Sequence, residues 1–355
     1  MKRQAAMERK RIGVIMGGSS SEREVSLRSG AAVADALAAR GHDVVRLMLG
    51  ETFGPEVLTS LQRARLDAAF LALHGRLGED GCIQGLLEIA QIPYTGSSVL
   101  ASALAMDKIK AKELFRLHNV PTPPYYMLED EDVADLESVH GSFGFPVMVK
   151  PRGEGSSLGV SKANDVHELS RAVALALEYD DVVIVERFVQ GVEVDVAILD
   201  GRVLGAIEIA PKKGFYDYEA KYTPGMTDYH MPARLPPARL VGVQNLALRA
   251  ARALGTTGAV RVDLLVTSGE NEYVLEVNTL PGMTQTSLLP KIASAAGYDF
   301  ADLCEAIVDS ARTHQPSRRR PAARVTEIRP NAAAAHRAAP AASGARAPLL
   351  RVASG

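Results

Sequence analysis

Residues 261–288 read RVDLLVTSGENEYVLEVNTLPGMTQTSL. The apolar runs Val260–Thr267 and Glu272–Val277 predict two strands joined by the turn Ser268-Gly269-Glu270-Asn271. Arg261 and Asp263 stand two apart on the first strand, and Glu276 and Asn278 two apart near the end of the second. A side-chain period of two puts each pair on one face. Asp263, Glu276 and Asn278 are then three hard oxygen donors gathered where apolar side chains are expected. Such a set suits Mg²⁺, which keeps water and shares its shell with substrate phosphates. The loop Leu280-Pro281-Gly282-Met283 follows, and its glycine admits close backbone approach to a ligand. The plainer alternative is a charged hairpin facing solvent. The rest of the chain decides between them.

Working outward, Ile12–Met16 is a short apolar run ended by Gly17-Gly18-Ser19-Ser20-Ser21. A helical stretch then reaches Arg40 and stops at Gly41. Strands are expected at Asp43–Met48 and Asp67–Leu73, and a helix at Cys82–Ala90 after Asp80-Gly81. Strands alternating with helices imply a parallel sheet covered on both faces. Ligands of such sheets sit beyond the carboxyl ends of the strands, where Gly17–Glu22 and His74–Gly81 fall. The G-x-G-x-x-G spacing of a dinucleotide fingerprint is missing from the first of these loops.

A second unit starts near Ala101, with a helix over Asp107–His118, a break at Pro121–Pro124 and the strand Pro146–Val149 ending in Lys150. Directly after it, Arg152–Val160 (RGEGSSLGV) reads as a flexible hairpin tip rich in free N–H groups, able to fold over phosphates as a nest. It lacks the G-K-[ST] ending and following helix of a P-loop. A third unit runs from about Val183 to Arg312 and contains the hairpin.

A length of 355 residues fits two or three domains, and 47% hydrophobic residues are enough for real cores. A formal net charge of −2 gives no argument for nucleic acid or an anionic membrane as partner. Cys82 and Cys304 form neither a disulfide framework nor a zinc pattern, which fits a reducing compartment. The apolar run near the N-terminus is too short for a signal segment or a membrane span. A cytoplasmic protein is expected. Residues 315–355 are rich in Ala, Pro and Arg, with eight arginines and one acid, Glu327, and are expected to be a disordered tail.

Taken together, GGSSSEREVSL (17–27), LHGRLGEDG (73–81), MDK (106–108), VKPRGEGSSLGV (149–160), FYDYEAKY (215–222), RVDLL (261–265) and LEVNTLPGMTQTSLLP (275–290) resemble, in order and spacing, the D-alanine–D-alanine ligases of the ATP-grasp superfamily. The resemblance covers roughly residues 11–312. It implies an α/β ATP-grasp fold of three domains. These are an N-terminal parallel-sheet (Rossmann-like) substrate domain over 1–102, a central subdomain with the phosphate loop over 103–187, and a C-terminal subdomain with metal site and mobile loop over 188–314. The tail, 315–355, lies outside it.

The implied activity is ATP-dependent joining of two D-alanines through a D-alanyl phosphate, with two Mg²⁺ (or Mn²⁺) ions, in peptidoglycan precursor synthesis, by a homodimer that needs neither nucleic acid nor membrane. Asp263, Glu276 and Asn278 match the metal ligands, and Arg261 with the N–H of Gly282 match the groups that stabilise the tetrahedral oxyanion. Read alone, Arg261 is a same-face partner for Asp263. Lys108, Lys150 and Lys221 match phosphate-contacting lysines. Glu186, Arg187, Phe188 and Val189 match the strand that receives the adenine edge, and Glu193 takes the ribose hydroxyls. Glu22 matches the carboxylate for the first D-alanine's ammonium, linked to Ser156 and Tyr222 across the closed site. Ser287 and the N–H of Leu288 match the receiver of the second carboxylate, at an expected helix start, and His74 is a supporting residue.

Gly214–Asp228 looks like a lid over the site. Relatives that make D-alanyl-D-lactate replace the tyrosine of the Lys221-Tyr222 pair, commonly with histidine, so D-alanine is expected as second substrate. Discrimination against D-serine is left open. A different ATP-grasp carboxylate–amine ligase and a non-enzymatic nucleotide binder are the rival classes. Two departures stand out: the variable Arg152-Gly153-Glu154, and Leu77 where some relatives carry glycine.

Overall fold

The computed structural model describes residues 9–212, 223 and 225–314. The 315–355 tail, Lys221 and Tyr222 lie outside the described residues, as does most of Gly214–Asp228.

Strands β1 (Arg11–Gly17), β2 (Asp43–Leu49) and β3 (Ala68–Leu71) form a parallel sheet in the order β2-β1-β3, with Ile12 opposite both Val44 and Ala68. Six of the seven residues of β1 are buried, as a central parallel strand covered on both faces requires. Helices α1 (Arg23–Ala39), α2 (Pro55–Ala64) and α3 (Cys82–Ala90) connect and flank these strands. The third strand is shorter than expected from its apolar run. Ala72 and Leu73 leave the sheet yet stay buried, so the hydrophobic pattern outlasts the ladder.

After α4 (Val99–Met106) and α5 (Lys108–Leu117) comes an antiparallel sheet ordered β4-β7-β5-β6, built from β4 (Tyr125–Glu129), β5 (Val147–Pro151), β6 (Ser161–Ala163) and β7 (Val182–Arg187). Helices α6 (Leu136–His140) and α7 (Val166–Leu177) belong to this unit, and α7 buries Leu169, Ala172, Val173 and Ala176 against it. The glycine-rich tip joins β5 to β6, as its sequence predicts.

A five-stranded antiparallel sheet ordered β10-β9-β8-β11-β12 completes the core. Its strands are β8 (Val192–Leu199), β9 (Arg202–Pro211), β10 (Thr227–His230), β11 (Ala259–Val266) and β12 (Glu272–Asn278). Thr227 and Asp228, expected at the end of the lid, belong to β10. One face packs under α8 (Pro237–Ala253) through Val194, Val196, Val262, Leu264, Val274 and Val277. Part of the other face joins the parallel sheet's core through α9 (Leu288–Ala295) and α10 (Phe300–Asp309).

Because side chains alternate, the apolar positions of β11 in the α8 core send Arg261 and Asp263 to the opposite face. On β12 the alternation changes phase. Asp263 pairs with Glu276 but Leu264 pairs with Val274, leaving Leu275 as the extra residue of a β-bulge. Val274 and Val277 thereby both reach the core, while Glu276 and Asn278 face Asp263 and Arg261 in register. Among the described residues, no helix is long and apolar enough to cross a membrane.

Candidate active site

Two cavities of about 140 and 680 Å³ lie where the three sheets face one another, and they share Lys108, Glu154, Gly155 and Glu276 as wall. The larger is within the usual small-molecule range of about 300–1,000 Å³. The sequence-predicted residues divide between them. Glu22, His74, Ser156, Arg261, Asn278, Gly282, Ser287 and Leu288 line the smaller cavity. Lys150, Glu186, Arg187, Phe188, Val189, Glu193 and Asp263 line the larger. Lys108 and Glu276 belong to both.

In the smaller cavity, Glu22 stands at the head of α1, and the Ser156 hydroxyl donates to its carboxylate. Ser156 and Ser157 hold left-handed φ values of 49° and 59°, so the loop is bent at two consecutive non-glycine residues. A β-carbon on Gly155 would stand 3.0 Å from Glu22 Oε2, so a glycine there lets the loop close on the carboxylate. His74 is buried, and burial pulls its pKa down, keeping the ring neutral at pH 7.

Glu79 was not legible as a site residue. It is buried, accepts the Gly75 N–H at 2.7 Å, and is pushed up to about 8 by burial and by nearby Glu22. At neutral pH it is a neutral acid beside an acceptor-only carboxylate. Leu77 adopts φ 66°, the left-handed region that a glycine enters without cost.

Arg261 forks onto Asp263, with Nε and Nη2 each 2.7 Å from a carboxylate oxygen, and its Nε is also 2.9 Å from Asp195 Oδ2. The same-strand pairing is thus present in the described structure. Burial works against the guanidinium's charge, but Asp263 and Asp195 more than offset it, so Arg261 stays charged. Asp195, on β8 directly opposite Asp263, is buried and was not singled out from sequence. Its only sequence signal is an acid at every second position of VEVDV.

Asp263, Glu276 and Asn278 offer two carboxylates and a carboxamide, hard oxygen donors that fit Mg²⁺. Among the described residues no group of three or more His, Cys, Asp or Glu side chains gathers at metal-binding spacing. A Mg²⁺ site that shares its shell with phosphates and water does not need one.

The chain leaves β12 through Asn278, whose Oδ1 accepts the Leu280 N–H at 3.1 Å. A β-carbon on Gly282 would meet Ser287 Oγ at 2.8 Å, so any other residue there would displace the Ser287 hydroxyl. Ser287 is the N-cap of α9, and its side chain makes no cap bond to that helix. It instead contacts Thr284, and Leu288, the first residue of the helix, lines the cavity.

In the larger cavity Glu186 on β7 is bonded by Lys150 at 2.8 Å and paired with Lys112 at 2.9 Å. Burial pushes the Glu186 carboxyl up, but the two lysines outweigh it and leave it at about 2. Lys108 donates to the Glu154 carbonyl, holding the glycine-rich tip. The Arg187 guanidinium donates to the Phe143 carbonyl at 2.8 Å. The Lys162 ammonium sits 4.0 Å from the centre of the Phe188 ring.

The match to known proteins follows this geometry. A family model described as D-ala D-ala ligase C-terminus matches residues 114–309, more than half of the chain, and one described as D-ala D-ala ligase N-terminus matches residues 54–97. The chain belongs to the D-alanine–D-alanine ligase family.

A D-alanine–D-alanine ligase of Anaeromyxobacter sp. (strain K) is 53% identical to this family member over 302 residues, which are 85% of this chain and 97% of that one. The crystal structure of the D-alanine–D-alanine ligase of Bacillus anthracis complexed with ATP superposes with a TM-score of 0.72 at 36% identity, covering 86% of this chain and 97% of that one. The VanG D-Ala:D-Ser ligase of Enterococcus faecalis gives 0.73 at 30% identity, covering 85% and 99%. The expected ATP-grasp fold is therefore the fold of this D-alanine–D-alanine ligase family member.

Proposed function

We propose that this protein joins two D-alanines into D-alanyl-D-alanine, converting ATP to ADP and phosphate, as a step of peptidoglycan precursor synthesis. The observation that carries the reading is the wall common to both cavities. Lys108, the glycine-rich tip and Glu276 stand where the phosphate end of a nucleotide in the larger cavity would meet a carboxylate held in the smaller one.

A carboxylate resists acyl transfer because its leaving group would be oxide. In the first step an oxygen of the first D-alanine's carboxylate bonds to the γ-phosphorus while the bond from that phosphorus to the β,γ-bridging oxygen breaks, releasing ADP. Such a transfer asks mainly for positioning and charge stabilisation. Glu22, held by Ser156, takes the substrate ammonium. Lys108, Lys150 and Lys221 take phosphate oxygens, Glu186 and the main chain of Arg187–Val189 take the adenine edge, and Glu193 takes the ribose. Asp263, Glu276 and Asn278 would hold two Mg²⁺ (or Mn²⁺) ions, which neutralise phosphoryl charge when bound.

In the second step the amine of the other D-alanine attacks the acyl carbon, and the carbon–oxygen bond to phosphate breaks. The Arg261 guanidinium and the Gly282 N–H bear the tetrahedral oxygen, a kind of contact worth roughly 3–4 kcal/mol of barrier. Ser287 and the Leu288 N–H, at the positive end of α9, receive the second carboxylate. The family likeness assigns Tyr222 the link to Ser156 and Glu22, and assigns the segment before β10 the role of keeping water from the acyl phosphate.

The divisions 1–102, 103–187, 188–314 and 315–355, a homodimer and a cytoplasmic location belong to the same proposal, supported by the family likeness. The Lys221-Tyr222 pair supports D-alanine over D-lactate as second substrate. The test is phosphate release with D-alanine alone and with D-lactate or D-serine added, each product identified by mass. Dominant D-alanyl-D-alanine is expected. A preference for D-lactate at neutral pH, or ATP turnover indifferent to D-alanine, would overturn the reading.

A further inference from the structure

Lys112 lies on α5 one turn beyond Lys108, but it is sunk beneath the nucleotide cavity, with 1% of its side chain exposed. Its Nζ is 2.9 Å from Glu186 Oε1 and donates to the Thr122 hydroxyl. Glu186 is equally buried, at 2%, and gives its other oxygen, at 2.8 Å, to Lys150, whose side chain is 14% exposed and reaches the cavity wall. One buried carboxylate thus has two ammonium partners, one locked in the interior and one at the edge of the cavity.

We infer that Lys112 is a positioning residue for the nucleotide: as the standing counter-ion of Glu186, it allows Lys150 to leave that carboxylate for phosphate without stranding a buried charge. The inference rests on the nucleotide reading given above. Its physical basis is that removing one partner of a buried ion pair is strongly unfavourable, because the other charge is left uncompensated. With Lys112 in place, Glu186 keeps an ion pair whichever way Lys150 points. Without it, Lys150 is the sole counter-ion and is held back from the phosphates. Burial depresses the Lys112 ammonium, and the pairing with Glu186 works the other way, so the two residues sustain each other's charge.

The experiment compares calorimetric affinity for AMP-PNP and for adenosine, both with Mg²⁺, in the full-length protein. The wild type is expected to bind AMP-PNP far more tightly than adenosine. Lys112→Met is expected to shrink that difference by about tenfold or more, with adenosine affinity little changed. Lys112→Arg, which keeps the charge, restores most of it. Should Lys112→Met fail to fold, Glu186→Gln and Glu186→Gln/Lys112→Met decide, since neither strands a carboxylate. The inference expects the same AMP-PNP-to-adenosine difference in both. An unchanged difference in folded Lys112→Met, or a further loss on adding Lys112→Met to Glu186→Gln, overturns the inference. A wild type that binds AMP-PNP no better than adenosine overturns the nucleotide reading instead.

Discussion

Ser156, at the tip between β5 and β6, donates its hydroxyl hydrogen to Glu22 at the head of α1, 134 residues away in sequence. This bond ties the glycine-rich tip to the first loop of the parallel sheet and closes one side of the smaller cavity. A hydrogen bond to a charged group contributes about 1.5–3 kcal/mol. Ser156→Ala is therefore expected to raise KM for D-alanine roughly 10- to 100-fold, with a small change in melting temperature. Initial rates of phosphate release over a D-alanine series check this, and a KM unchanged from wild type would count against the assigned link.

Arg261 and Asp263 share two hydrogen bonds, so a cation bound at Asp263 would draw on a carboxylate that Arg261 also holds. Glu276→Gln keeps the shape and removes one charge. It is expected to weaken Mn²⁺ binding, read by electron paramagnetic resonance, and to abolish turnover. EDTA should stop the wild type and added Mg²⁺ should restore it. Arg261→Met should lower kcat by roughly 10²–10³ while the protein still binds ATP.

Glu79 gives a pH signature. Its folded pKa, about 8, lies above the ordinary 4.5, so between those values the folded state holds a proton that the unfolded state has lost. Stability contributed at this position is full at low pH and is lost as pH rises from about 4.5 to 8. Glu79→Gln mimics the protonated acid and can still accept the Gly75 N–H. Urea unfolding at pH 5 and pH 8 is expected to show the variant gaining on wild type at the higher pH by up to a few kcal/mol. Equal effects at both pH values would place the Glu79 pKa elsewhere.

Leu77 sits at φ 66° in the loop that carries His74 and Glu79. A side chain in that region costs roughly 1–2 kcal/mol. Glycine relieves this but adds freedom to the unfolded chain, about 0.5–1 kcal/mol. Leu77→Gly also gives up the packing of this half-buried side chain, so it is expected to be near neutral in thermal unfolding. Leu77→Ala, which keeps the strain and loses the side-chain packing, should be less stable than either.

The hairpin was readable from sequence because acids and an arginine interrupt apolar strands with a period of two, and that period survives folding for Arg261, Asp263, Glu276 and Asn278. The parallel sheet was readable for a similar reason, since Ile12–Met16 is buried on both faces. Strand ends were less so: Asp67–Leu73 contracts to Ala68–Leu71, because burial by neighbouring loops leaves the same apolar signal as burial in a ladder.

Asp195, Lys112 and Glu79 were hidden for a different reason. Each is an ordinary charged residue whose role depends on a partner brought in by the fold: Arg261 across a ladder, Glu186 on a strand beneath α5, Glu22 across a loop. A lysine four residues after Lys108 reads as a solvated helix face, and nothing local distinguishes it.

Leu275 gives β12 two phases in seven residues. Upstream of it the strand is keyed to the core by Val274, downstream by Val277, and the odd residue between them lets both keys turn. Without a bulge, a regular ladder through all seven residues of β12 would put Val274 and Val277 on opposite faces, and either the core or Glu276 and Asn278 would be misplaced. The reading frame of the pleat, as much as the identity of the acids, is what places the carboxylates in the cleft.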